Sequence, residues 1–325
     1  MASTIKSFSV AYDPINQSNV FTRGDVISGQ VTLELKKESK IESLCVKLKG
    51  KAQVKWREFY GQAVITYLNK DKYFSIKQFF IQENQGNNTV SKGSHVYPFT
   101  FQIPTEERPS SFRGAFGKIV YRVEANLSRS KRKDKKAKAE FIVINKGQRD
   151  PALMSPQQGM VNTKKKVMSS GTITMDVKIP KTGFYQGEGI NVVGYIHNKS
   201  SRDVTPKYCL YMKCCGFVLM RRKMEKRTIL KEEGEVIPPS AGATVKKTIN
   251  IPPMTGMSIL NCGILTVEYR LKCYVDVKFG GGPEFKFNIV VLPVTEGSEE
   301  EKTSAYDGSD MLPVSFMSEG GSLFQ

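Results

Sequence analysis

Apolar and polar residues alternate with a period of two along most of the chain. Ile119, Tyr121, Val123, Ala125 and Leu127 are interleaved with Arg122, Glu124, Asn126 and Ser128. Leu265, Val267, Tyr269, Leu271, Cys273, Val275 and Val277 are interleaved in the same way with Glu268, Arg270, Lys272, Asp276 and Lys278. The spacing recurs at Val31, Leu33 and Leu35, at Leu44, Val46 and Leu48, at Ile173, Met175, Val177 and Ile179, and at Phe285, Phe287, Ile289 and Val291. Side chains on a strand point to opposite faces in turn, so each segment predicts a strand with one apolar and one wet face. Strands of that kind belong to antiparallel sheets packed face to face, because parallel sheets bury both faces and read as unbroken apolar runs. No window holds a helical period over three turns. Asp13-Pro14, Arg23-Gly24-Asp25, the Asn- and Gly-rich stretch 84–88 and Gly280-Gly281-Gly282-Pro283 supply the turns between strands. The pattern predicts an all-β fold of antiparallel sandwiches.

An internal repeat divides the chain. Phe21-x-x-Gly24-Asp25-x-Ile27, with Ile41 twenty residues after the Phe, is echoed by Phe184-x-x-Gly187-Glu188-x-Ile190, with Val204 at the same separation. Further on, Ile103-Pro104 precedes Tyr121-Arg122 by a Pro-to-Tyr step of seventeen, and Ile251-Pro252 precedes Tyr269-Arg270 by the same step. The offsets, 163 and 148, predict two copies of one sandwich, the first with fifteen extra residues between its motifs. The expected division is a first sandwich over residues 1–150, a linker over 151–169, a second sandwich over 170–294 and an acidic tail over 295–325. Gly147, Asp150-Pro151, Ser155-Pro156 and Gly159 interrupt every period across the linker. The tail is too poor in apolar residues to fold alone and is expected to be disordered.

Composition narrows the function. The 325 residues are 39% hydrophobic, enough for two ordinary cores. Their longest apolar runs fall far short of the roughly 18 residues that cross a bilayer. The first residues lack the apolar stretch of a secretory signal, so the cytosol is the expected compartment. The net charge of +18 is uneven: from Thr295 onward seven acids face Lys302 alone, which leaves +24 on the rest. Such a surplus draws phosphates, whether on nucleic acid, anionic lipid or phosphorylated protein. Two runs are singled out as contacts for anionic lipid or phosphate: Arg129, Lys131, Arg132, Lys133, Lys135 and Lys136, and Arg221, Arg222 and Lys223. Lys164-Lys165-Lys166 is a third cluster, and solvated turns or a nuclear-import signal are the competing readings. The tail, net −6, carries Glu299-Glu300-Glu301 and Val314-Ser315-Phe316, and a reversible lid folded back on the basic first sandwich is the alternative to disorder.

Chemistry-bearing residues are few. Six cysteines in a chain with no secretory signal read as reduced thiols. Cys209, Cys214 and Cys215 lack C-x-x-C spacing, and only His95 and His197 could complement them, so neither metal nor cofactor is expected. No phosphate loop, nucleophile elbow or zinc-protease helix occurs; Gly183 to Gly189 has glycines without the lysine of a phosphate loop. The protein is expected not to be an enzyme. Trp56 reads as an aromatic capping the core at a strand end, with an interface anchor as the alternative.

With these residues in view, the chain resembles the arrestin domain-containing proteins, or α-arrestins. The resemblance rests on Tyr12-Asp13 with Phe21-x-x-Gly24-Asp25-x-Ile27-x-Gly29-x-Val31, and on Tyr97-Pro98-Phe99-x-Phe101-x-Ile103-Pro104 leading through Ser110-Ser111-Phe112 to Ile119-Val120-Tyr121. It continues through Gly187-Glu188-x-Ile190, Asn198, Ile251-Pro252-Pro253 and Ser258-Ile259-Leu260-x-Cys262-x-Ile264-Leu265-x-Val267-Glu268-Tyr269. It implies two arrestin-type sandwiches in tandem, forming a non-enzymatic adaptor. Such an adaptor takes membrane receptors or transporters as cargo, meets the trafficking machinery of endocytosis and endosomal sorting, and associates peripherally with plasma membrane and endosomes. Family members commonly recruit ubiquitin ligases through PPxY motifs, whose proline-rich strand docks on WW domains. The Pro-Pro pairs at Pro238 and Pro252 lack the tyrosine, so any ligase is expected to be reached indirectly. The lysine pair with which visual and β-arrestins sense phosphate is missing from Phe8-Ser9-Val10-Ala11. Cys262 resembles the position through which the thioredoxin-binding member forms a mixed disulfide, which makes a redox scaffold one alternative function. A buried, inert thiol is the plainer reading of that cysteine. A basic nucleic-acid-binding sandwich is the other alternative, disfavoured because the basic clusters are not interleaved with exposed aromatics.

Overall fold

The computed structural model describes residues 4–82, 88–130, 132–146, 150–162, 171–277 and 280–294. Lys131, the 164–166 cluster and the tail from 295 onward, including the suggested lid, lie outside the described residues. The first eleven strands are β1 (Ile5–Tyr12), β2 (Val20–Phe21), β3 (Val26–Leu35), β4 (Ser39–Lys40), β5 (Ser43–Tyr60), β6 (Ala63–Ile81), β7 (Thr89–Val90), β8 (Gly93–Gln102), β9 (Phe112–Arg113), β10 (Gly117–Arg129) and β11 (Arg132–Val143). Nine more follow: β12 (Gln157–Asn162), β13 (Ile173–Ile179), β14 (Gly183–Tyr185), β15 (Gly189–Asn198), β16 (Thr205–Val218), β17 (Arg221–Glu233), β18 (Ala241–Asn250), β19 (Leu265–Val277) and β20 (Gly280–Leu292). Among the described residues the only helical turn is the 3-10 turn Pro151–Met154, capped by Asp150. No helix among them is long and apolar enough to cross a membrane.

The strands build one architecture twice. In the first half a sheet ordered β1-β3-β8 faces one ordered β2-β11-β10-β5-β6, with β9 paired to β10. In the second half β12-β13-β15-β18 faces β14-β20-β19-β16-β17. All long pairings are antiparallel; each larger sheet is closed by a short parallel pair, Val20–Phe21 on Ile142–Val143 and Gly183–Tyr185 on Val290–Leu292.

The repeated motif explains this closure. Phe21 and Phe184 sit in those parallel strands, fully buried. Gly24 and Gly187 both take φ +81°, a conformation that glycine adopts without the steric cost of a Cβ. The acid after each glycine folds its turn back on itself: Asp25 accepts the backbone N–H of Thr22 at 2.7 Å, and Glu188 that of Tyr185 at 2.8 Å. The Ile-Pro motif then locks on, since Ile103 N–H donates to Asp25 O at 2.8 Å and Ile251 N–H to Glu188 O at 3.0 Å. Tyr121 and Tyr269 fill the two cores.

Two expectations need correction. The segment read as a linker contains β12, which pairs along its whole length with β13. It shows no apolar alternation because its inward residue is Gly159, whose missing side chain is replaced by the ring of Phe285 packed over it. The outer face of β10 is also not simply wet. Val120 and Glu124 are buried there, because β5 and β11 flank the strand on both sides. Trp56 is buried, stacked on Tyr67 with ring centroids 5.2 Å apart.

Candidate functional site

A concentration of like charge lies on the outer face of the larger sheet of the first sandwich. On β5, Val46, Leu48, Ala52 and Val54 turn inward to the core, so the pleat turns Lys47, Lys49, Lys51 and Lys55 outward. Pairing adds neighbours from both sides. Lys51 faces Lys72 across the β5–β6 ladder and Gln53 faces Lys70; on the other side Lys49 faces Arg122 and Gln53 faces Lys118 of β10. A register shift between Gly50 and Lys51 bends the hairpin at this point. The result is a depression of about 390 Å³ lined by Lys47, Lys49, Lys51, Lys70, Lys72 and Arg122 together with Asp71, Phe74 and Ser75.

Glu124 organises this face. It is 5% exposed; Lys49 Nζ lies 2.7 Å from one carboxylate oxygen and Arg122 Nη2 2.8 Å from the other. Burial pushes its pKa up, but the hydrogen bond from Lys49 and the charges of Lys49, Arg122 and Lys138 outweigh that and hold it below the usual carboxylate range. One acid thus serves two cations. Lys51 has no comparable relief: burial and then the charges of Arg122, Lys118 and Lys70 push its ammonium pKa down, with Glu124 opposing. A group strained in this way gains most from an incoming anion.

On the equivalent face of the second sandwich four acids sit among five cations: Lys207 lies 2.8 Å from both Glu233 and Asp276, Glu268 lies 3.5 Å from Lys213 and 3.8 Å from Arg270, and Glu284 lies 2.7 Å from Lys272 and 2.5 Å from Lys286. Carboxylates are thus denser there than around Lys51.

The basic residues singled out from sequence fall in two places. Arg129 ends β10, and Arg132, Lys133, Lys135 and Lys136 lie on β11. Among the described residues β11 pairs only with β10 along this basic stretch, which leaves its other edge without a strand partner among them. The pleat splits the run. Lys136, opposite Asn126, shares the outer face with Arg122 and Glu124, whereas Lys135, opposite Leu127, belongs to the other side. Arg221, Arg222 and Lys223 begin β17 in the second sandwich, next to the β5–β6 hairpin, where the charges of Lys223 and Arg221 act on Glu58. The depression itself was missed, although lysines at 47, 49, 51 and 55 announce a one-faced charge on a strand.

Cys262 is 5% exposed, where the second sandwich meets β6, and its sulfur accepts the Tyr73 hydroxyl at 3.3 Å. Burial, then the hydrogen bond to this sulfur, pushes the Tyr73 phenol pKa far up. Attack on the sulfur from solution requires this contact to open. All six cysteines are buried thiols.

Comparison with known proteins agrees with the duplicated sandwich. Residues 8–149 match the family model of the arrestin (or S-antigen) N-terminal domain, and residues 169–295 that of the arrestin C-terminal domain. The chain belongs to the arrestin-domain, or α-arrestin, family. It is similar to human arrestin domain-containing protein 4, 27% identical over 309 residues that cover 90% of this chain and 72% of the relative. It is also similar to rat thioredoxin-interacting protein, 26% identical over 310 residues that cover 94% of this chain and 77% of the relative. Arrestin-family proteins are in general non-enzymatic adaptors, and this α-arrestin has the same two-sandwich frame.

Proposed function

We propose that this α-arrestin is a trafficking adaptor, without enzymatic activity, that holds acidic segments of membrane receptors or transporters against the first sandwich. The observation that carries this reading is the depression around Lys51, a concave basic surface with fewer carboxylates than its counterpart in the second sandwich. Acidic or phosphorylated cytoplasmic segments supply the missing negative charge and extend along the edge of β11 that has no strand partner among the described residues. The remaining basic residues, Arg129 to Lys136 and Arg221 to Lys223, favour residence near anionic membrane, on the cytoplasmic side of plasma membrane and endosomes. Ligases, if they take part, are reached through other proteins, since neither Pro-Pro pair forms a PPxY motif.

Proximity labelling in cells tests this reading. The wild-type chain should enrich membrane cargo and endosomal sorting components, and Lys49→Glu/Lys51→Glu/Lys72→Glu should lose the cargo. Enrichment of RNA-bound proteins instead would favour nucleic acid as the partner of the basic face. A second reading, capture of thioredoxin at Cys262, draws on the name of the rat relative and on the matching sequence around the cysteine. If Cys262→Ser captures as much thioredoxin as wild type, that reading fails.

A further inference from the structure

On one side of each sandwich the two sheets end in a pair of edge strands, β6 with β8 in the first copy and β17 with β18 in the second. In the first copy the gap between them is filled. Tyr97 of β8 stands opposite Val31, and its ring packs on Phe80 of β6 with centroids 5.3 Å apart; Phe80 and Ile81 both pack against the core. The offsets of the repeat locate the same places in the second copy. Val31 and Tyr97 correspond to Gly194 and Val245, which again face each other, across β15 and β18. Leu44 faces Leu127 of β10 and Ile81 of β6; its counterpart Pro206 faces Val275, 148 residues beyond Leu127, and Pro206 O accepts the N–H of Gly234 at 2.8 Å. Valine and glycine thus stand where the first copy has tyrosine and isoleucine, and a slot of about 820 Å³ stays open between the edge strands.

Both walls of the slot are held in place. One wall is β18, where Ala243 and Val245 turn half-buried toward the core, and whose outer edge has no strand partner among the described residues. The other is the segment 234–237 that follows β17. Ile237 and Val204 exchange backbone hydrogen bonds of 2.8 and 3.0 Å, and the buried Asn198 amide donates to Ile237 O and Pro238 O. Val236 stands 58% exposed on this wall. A slot of this volume lies within the range of ligand sites, about 300–1,000 Å³. An apolar slot beside an unpaired strand edge is the setting for strand addition: the incoming backbone pairs with the edge, and every second side chain enters the slot.

Charge selects the segment that fits. Lysines on an edge strand ordinarily discourage further pairing. Here Lys247 is matched by Glu232 at 2.9 Å, whereas Lys246, exposed on the other face of β18, has no ion pair among the described residues. A strand laid along β18 with apolar side chains opposite Ala243 and Val245 therefore places an acid well if that acid lies next to them in sequence, opposite Lys246.

We propose that the slot between β17 and β18 binds an extended segment of a partner protein in which two apolar residues, spaced by one, are flanked by an acid. The slot belongs to the second sandwich and draws nothing from the basic depression of the first, so either reading can fail without the other.

The full chain is titrated into a fluorescein-labelled peptide of about eight residues, the length of an ordinary strand, and anisotropy is read. The peptide carries two valines spaced by one threonine, with an aspartate on either flank; companion peptides replace the aspartates by lysine or the valines by serine. The aspartate peptide should bind, the lysine peptide roughly fivefold more weakly, and the serine peptide roughly tenfold or more. Lys246→Glu should reverse the preference between aspartate and lysine peptides, which a misfolded variant could not do. Val245→Tyr restores the tyrosine of the first copy and should lose roughly tenfold or more in affinity while still melting cooperatively. Lys49→Glu/Lys51→Glu/Lys72→Glu should bind the aspartate peptide within about twofold of wild type at physiological salt, where distant charges are screened. If Lys246→Glu leaves the preference as it was, or Val245→Tyr folds and binds as wild type, the slot is not the site and the proposal is overturned. It is overturned equally if the triple variant loses the peptide, which would place it on the basic depression, or if wild type sediments as a dimer that the peptide cannot dissociate and Val245→Tyr does.

Discussion

Replacing Glu124 by Gln tests the electrostatics of the basic face with almost no change of shape. The carboxylate side chain is 7% exposed, while Lys49 and Arg122 keep 25% and 18%. Breaking a fully buried ion pair costs about 3–5 kcal/mol, and an exposed pair contributes about 0–1 kcal/mol. Here both cations retain a route to water, so a loss of about 2 kcal/mol is expected, or a fall in Tm of about 3 °C for a chain of this size. The pH dependence follows from the sign of the shift. Glu124 is held below the ordinary carboxylate value, so its contribution is complete above the unfolded pKa and disappears as pH falls through the folded one. Thermal melts of wild type and Glu124→Gln should therefore differ most near pH 7 and draw together only as pH falls below the ordinary carboxylate range. A second measurement separates stability from function: the variant face carries one more positive charge, so elution from a heparin column should need more salt. Equal melting temperatures at pH 7, or a difference that does not shrink at all as pH is lowered through the carboxylate range, would refute the account of Glu124. A destabilised variant with unchanged heparin elution would show that anions bind elsewhere.

Other expectations follow from particular contacts. Asn198 is fully buried; its amide donates to Arg202 O, Ile237 O and Pro238 O, and its oxygen accepts from Ser200 N–H and Oγ. Asn198→Asp should unfold the second sandwich more readily than Asn198→Ala, because a carboxylate facing three carbonyls is worse than a gap; urea melts should show losses of about 2–4 kcal/mol or more. Gly24→Ala and Gly187→Ala should each cost about 1–2 kcal/mol by the same assay, since both replace a glycine at φ +81°. Cys262 should label slowly with a thiol reagent in the folded protein, and Tyr73→Phe should speed it by loosening the contact; equal rates for native and unfolded chains would contradict the burial of its sulfur.

Much of this frame is legible in one dimension because strand periodicity and turn chemistry are local. Phe21, Gly24 and Asp25 lie within five residues of one another, and their echo at Phe184, Gly187 and Glu188 carries the same geometry. β12 escaped because its core position is a glycine filled by Phe285, a ring 126 residues away. The charged site was harder to read. Contiguous basic runs attract attention, yet neighbours on a strand face opposite ways, as Lys135 and Lys136 do. The depression is assembled by register instead, from alternate residues of β5, β6 and β10, and register between distant strands is not written in any one segment. Tyr73 and Cys262, 189 residues apart, meet for the same reason.

The comparison of the two sandwiches carries the functional argument further than either one alone. Both copies share the order of their larger sheets, closing parallel strands and buried tyrosines, while the smaller sheet has three strands in the first copy and four in the second. The second copy sets four acids among Lys207, Lys213, Arg270, Lys272 and Lys286, whereas the first leaves Lys51 among Arg122, Lys118 and Lys70, with Glu124 already shared by Lys49 and Arg122 and Asp71 as the other carboxylate lining the depression. At the hairpin tips the difference runs the other way: the first copy uses glycine at the left-handed position and the second a strained leucine. Each departure lowers the stability of its own sandwich, since like charges repel and a leucine at positive φ is strained. On the reading proposed above, an anion over Lys51 relieves the first of these departures. A concave basic face of this kind is what an adaptor requires if it is to hold an acidic cytoplasmic segment.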